Sequence, residues 1–157
     1  MSVKGQVFSF DFLLASSIFL LTIGILFAYW AYTNIQIEET RQMNEMIDKT
    51  YKASDVWFRE GVPTFWNSNN VIELGLENNH RFNQTKMDIT KTEIGYDRTK
   101  TMIGLSGYEY NFTVYNTTNH TVFTFGLDPS DPRNLLKIKR IGIYDSSIVS
   151  LEVMVWK

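Results

Sequence analysis

The sequence predicts an α+β fold, in which one long N-terminal helix is followed by a small antiparallel β-sheet head, and three observations carry that expectation. An unbroken apolar run opens the chain, an amphipathic stretch without glycine or proline follows, and two pairs of alternating segments close it. Of 157 residues, those left after a membrane-length segment suffice for a single head with a modest core. Aromatics make up 15% of the chain, and most lie outside the apolar run, as a β-rich head packed on rings requires.

The apolar run is "FLLASSIFLLTIGILFAYWAY", Phe12 to Tyr32, 21 residues without a charge. At ~1.5 Å of rise per residue it spans roughly 31 Å, about one hydrocarbon core. A cleavable secretory signal is shorter and ends in small residues, whereas this run ends in Tyr29, Trp30 and Tyr32, the composition of an interfacial aromatic belt. Residues 12–33 are therefore expected to cross a membrane, with residues 1–11 ahead of them. Lys4 precedes the run and Glu38 and Glu39 follow it, a bias that puts the N-terminus in the cytoplasm and everything past Asn34 outside. Asn83, Asn111, Asn116 and Asn119 each open an Asn-x-Thr sequon and are candidate glycosylation sites on that outer side. The tip sequence "YNTTNHT" suits a polar turn whether or not a sugar is attached.

Residues 34–61 continue the helical pattern, with Met43, Met46, Ile47, Tyr51, Ser54 and Trp57 near helical spacing. Gly61 and Pro63 in "GVPTFW" supply the stop signals, giving a helix of about 45 residues, apolar all round in its first half and amphipathic in its second. Residues 62–157 form the head. Within it "NVIEL" is a short strand candidate, and "YDRTKTMIGL" a helix opening near Tyr96 and closing toward Gly104. "YEYNFTVYN" places Tyr108, Tyr110, Phe112 and Val114 on one face and pairs with "TVFTFG". "LLKIKRIGIYD" and "IVSLEVMVWK" form a second hairpin across Asp145-Ser146-Ser147, so the sheet has about four strands. "GLDPSDPRN" between the hairpins is a loop because of its two prolines.

A net charge of −2 and a pI near 5.7 give no large field of one sign, so nucleic acid is not an expected partner. The absence of cysteine excludes disulfides, thiolate metal sites and a thiol nucleophile. His80 and His120 lie in polar stretches without carboxylates at metal-ligand spacing, and no P-loop, nucleophile-elbow or dinucleotide motif occurs. No metal, cofactor or catalysis is expected. Trp57, Trp66 and Trp156 are expected in the core, and Glu38, Glu39, Arg41 and Glu45 on a solvated helix face.

The N-terminal Lys4-Gly5-Gln6, the early acid Asp11, the uninterrupted helix, the "GVPTFW" turn and the final hairpin closing on Trp156 resemble an archaeal type IV pilin or pilin-like protein with a class III signal peptide. The family pattern is close to Gln-x-Ser-x-Glu. Here Gln6, Ser9 and Asp11 stand in "QVFSFD", one residue longer, with Asp in place of Glu. The resemblance implies a structural subunit, major or minor, of a surface filament that assembles through its apolar helices with copies of itself or co-pilins. It implies processing by a prepilin peptidase before Gln6 or after it, and assembly by an ATPase and a membrane platform protein. It further implies that Asp11 pairs with the amine which the cut frees on a neighbouring subunit. The plainer reading of Asp11 is a hydrated acid at headgroup level, favoured by the helix N-terminus. The competing class is an uncut, single-pass anchored extracytoplasmic binding or sensing domain.

Overall fold

A computed structural model describes residues 4–157, with side chains from Phe10 onward. Helix α1 runs from Lys4 to Val56, 53 residues. The chain divides into two compact units, the first ending at Met43 and the second comprising Asn44–Lys157. The helix stops five residues ahead of Gly61, so the expected extension to 61 is too long at its C-terminal end. Trp57 is the reason. It is completely buried and stacks on Phe112 with ring centroids 4.7 Å apart, which commits the chain to the core before the glycine is reached.

The head, Asn44–Lys157, is built around a four-stranded antiparallel sheet in the order β4-β3-β6-β5. These strands are β3 (Glu109–Tyr115), β4 (Thr121–Gly126), β5 (Leu135–Tyr144) and β6 (Ser147–Trp156). The two expected hairpins therefore lie side by side, joined through β3 and β6. Tyr110, Phe112 and Val114 of β3, Phe123 and Phe125 of β4, and Val149, Leu151, Val153 and Val155 of β6 are buried on one face. The end of α1 meets that face with Met46, Thr50 and Ala53, and Trp57 follows directly after it, all buried. Gly142 of β5 leaves room for the Phe82 ring, since a Cβ there would lie 2.5 Å from it. The β5–β6 turn is tighter than the three residues expected: Asp145 and Ser146 adopt left-handed backbone angles, φ 45° and 62°, and Ser147 already pairs with Tyr144.

Between Val56 and β3 lies the part of the head least visible in the sequence. "NVIEL" forms no strand, because Asn67 collects the backbone N–H of Asn69 and Asn70 on its side chain and that of Val71 on its carbonyl. A single bridge, Val62 to Glu73, is all that pairs there. A two-residue hairpin follows, β1 (Glu77–Asn78) and β2 (Arg81–Phe82), then α2 (Gln84–Ile89), a π-helical turn over Thr90–Ile94 and α3 (Tyr96–Met102). α3 opens at the expected Tyr96. The α2 side chain Lys86 fixes this region. Its ammonium is buried, donates to the carbonyls of Glu60 at 2.6 Å and Glu77 at 2.8 Å, and lies over the Trp66 ring. Burial pushes the Lys86 pKa down, and the nearby Glu60 partly offsets it.

Arg140, on the inner face of β5, reaches Asp55 in the last turn of α1 at 2.6 Å and covers the Phe58 ring. That hydrogen bond, with the Arg59 charge behind it, holds the Asp55 carboxyl below the usual range. A carboxyl lowered in the folded state stabilises above its unfolded pKa, near ~3.9, and that contribution disappears as pH falls through the folded value. Because the pair is half exposed, Asp55→Asn is expected to cost under ~1 kcal/mol at neutral pH, with the difference from wild type closing as pH drops below ~4. Lys86→Met strands two carbonyls and is expected to cost about 3 kcal/mol. Thermal unfolding of the detergent-solubilised chain measures both, with Lys86→Met shifting the midpoint far more.

Candidate functional site

In the first unit, the helix is bare. From Phe10 to Ile37 its large apolar side chains other than Ile23 are more than half exposed, including Phe10, Leu13, Phe19, Leu21, Leu26, Phe27 and Trp30. The helix contains an 18-residue window with a mean hydropathy of 2.2, none of it buried, long and apolar enough to cross a membrane. Three of its hydroxyls make no demand on the surroundings. Ser17, Thr22 and Thr33 donate to the carbonyls of Leu13, Ile18 and Tyr29 at 2.8 to 2.9 Å, each four residues back. Gly24 has nothing within 4 Å of where a Cβ would be. The surface is thus largely aliphatic and aromatic, and three of its hydroxyls are satisfied from within.

Asp11 lies on that helix, exposed, without a hydrogen bond or ion pair to any described residue. Lys4, Gly5 and Gln6 are helical in backbone, and their side chains lie outside the described residues, as does all of Met1–Val3. Beyond the apolar run the charges pair within the helix: Arg41 with Glu38 at 2.7 Å, Lys49 with Glu45 at 2.8 Å and Lys52 with Asp48 at 2.7 Å. These are exposed pairs three or four residues apart and contribute a few tenths of a kcal/mol each, ~0.3–0.5.

The four sequon asparagines have different environments. Asn111 is 3% exposed, donates to the Leu127 carbonyl at 3.0 Å and accepts from Thr113 at 2.7 Å, so the folded chain presents no free amide there. Asn83 is the N-cap of α2 and accepts from the Lys86 backbone N–H at 3.1 Å. Asn116 accepts on its side-chain oxygen from the Thr118 N–H and hydroxyl and from the His120 N–H, which closes the tip between β3 and β4. Asn119 is exposed, with a left-handed backbone at φ 63°. That Asn83 and Asn111 also build the fold is not apparent from their sequons. The signal for the first is an Asn directly ahead of Met87, Thr90 and Ile94, buried at helical spacing.

Trp57, Trp66 and Trp156 are all buried, as expected of core side chains. His80 occupies the β1–β2 turn with φ 60°, and His120 lies exposed beside the Thr118 hydroxyl. Among the described residues no three His, Asp or Glu side chains converge as metal ligands. Peptide mapping of the protein from its native host is expected to find Asn111 unmodified, whatever is found at the three more accessible asparagines. A sugar on Asn111 would mean that attachment precedes folding and that the β3–β4 edge is rebuilt around it. The chain matches no protein-family model, no curated protein and no solved structure, so its reading rests on the long apolar N-terminal helix and the small antiparallel sheet themselves.

Proposed function

We propose that the chain is a structural subunit of an archaeal type IV pilus-like surface filament, anchored in the membrane by its apolar helix and assembled through it. One observation carries this reading. The apolar helix is uncovered, its Ser17, Thr22 and Thr33 hydroxyls are bonded to its own backbone, and the same helix ends inside the core of an antiparallel head. Such a surface is equally at home in lipid and against copies of itself, which is the property a subunit needs to leave a membrane for a filament core. Asp11 then acquires a partner on assembly, namely the amine of a neighbouring, processed chain. A prepilin peptidase acts at Gln6, and an ATPase with its platform protein drives extrusion. The head faces the cell exterior.

The uncut anchored ectodomain is the competing reading, since the Gln6, Ser9 and Asp11 spacing is one residue longer than the family pattern. Intact mass and N-terminal sequence of the protein recovered from its native cell surface separate the two. The expected chain begins at Gln6 or Val7. One that still begins at Met1 or Ser2 in the membrane fraction overturns the filament reading. Lys4→Glu and Gly5→Ile are expected to block the cut and leave a longer, membrane-bound chain, and unchanged mobility of the mature protein counts against processing.

A further inference from the structure

Two apolar features of the head are exposed for no reason internal to the fold. The first is a knob. The segment from Gly61 to Gly75 holds out Phe65, 80% exposed, with Ile72 at 74% and Val62 at 44%. It is fixed at its neck, where Val62 and Glu73 pair, the Ile72 N–H donates to the Val62 carbonyl at 2.8 Å, and the Trp66 indole donates to the Gly75 carbonyl at 3.0 Å. Arg98 of α3 holds the Ser68 carbonyl at 2.9 Å. A phenylalanine presented by a braced loop is a docking group by composition and by position.

The second is a groove on the outer face of the sheet. A cavity of about 210 Å³ lies between the β3–β4 tip and the β5–β6 hairpin, lined by Asn116, Asn119, Lys139, Ile141, Ile148 and Ser150. Ile141 is 75% exposed and Ile148 61%. The volume falls below the ~300–1,000 Å³ of small-molecule sites and suits one inserted side chain. The charges at the two features are opposite. Among the described residues, Glu73 stands beside Ile72 on the knob without an ion pair, while at the groove Glu152 is taken by Lys137 at 2.9 Å, leaving Lys139 without one.

We infer that the knob of one head docks in the groove of the next copy, with Phe65 against Ile141 and Ile148, and Glu73 facing Lys139. Because the two surfaces differ, the contact is head-to-tail, and with a rotation that does not close into a ring it generates an open helical array. This deepens the filament reading and rests on it. Both surfaces lie on the head, so the contact is separable from packing of the apolar helices.

The test uses the chain's lack of cysteine. Phe65→Cys combined with Ile148→Cys, expressed in the native host in place of wild type and oxidised on the cell surface, is expected to give a ladder of dimers, trimers and longer species. Each single variant should give no species beyond a dimer. Phe65→Asp, at a position too exposed to disturb folding, is expected to lower the sheared-filament yield about tenfold or more. Filaments that assemble from the double-cysteine chain with no ladder, or with closed dimers alone, overturn the contact and leave the filament reading standing. Sugar on Asn116 or Asn119 in such filaments identifies a glycan as the groove's occupant instead. A wild-type chain that yields no filaments at all overturns both.

Discussion

A helix that is apolar on every side has no face of its own to turn inward, and no described part of this chain buries residues Phe10 to Ile37. Removing a Leu, Ile or Phe side chain from water is worth ~1.5–3 kcal/mol, so the exposed side chains of these types here total on the order of 20–40 kcal/mol. That exceeds the ~5–15 kcal/mol that holds an ordinary domain folded. Cover from outside the chain is therefore worth more than the net stability of an ordinary folded domain. The hydroxyls at Ser17, Thr22 and Thr33 fit this constraint, since each is bonded within its own helix and none needs water.

The head solves a smaller problem of the same kind. The sheet buries one face against the end of α1 and the elements that follow it, and the aromatic contacts between Trp57 and Phe112 and between Tyr96 and Tyr110 lie in that layer. At its margin one polar cluster satisfies itself. Tyr96 donates to Glu109, whose other oxygen pairs with Lys100 at 2.8 Å, and burial together with that carboxylate raises the Tyr96 pKa. Lys100, ahead of Tyr96, lowers that of Glu109. On the opposite face of β3, Asn111 and Thr113 are buried as well, so the central strand is polar and covered on the side where alternation alone implies solvent.

How much of this was legible follows from which forces act locally. The apolar run, the four strands and the opening of α3 were readable because each is written as an uninterrupted period of 3.6 or 2 residues. The end of α1 was misplaced because a buried tryptophan, a tertiary contact, overrode the glycine and proline that ordinarily mark a stop. "NVIEL" looks like a strand by composition, but Asn67 diverts its backbone donors into a turn. α2 is not legible in the sequence because Lys86 within it and Thr90 at its C-cap are buried, where apolar residues are the usual signal. Of the candidate site, the apolar surface was legible from composition alone. The burial of Asn111 was not, since it depends on the loop carbonyl of Leu127, sixteen residues away.

Lys86 has a further consequence for how the head meets its surroundings. Its two carbonyl acceptors, on Glu60 and Glu77, lie on either side of the loop that carries Phe65, so one ammonium clamps both ends of that loop to α2. Opening the loop would require the clamp to release two hydrogen bonds at once. A segment already ordered in this way gives up little conformational entropy when it is covered, so its contact area converts to affinity more fully than that of a floppy loop of equal hydrophobicity. A single buried lysine thereby holds the Phe65 loop in one shape before anything covers it.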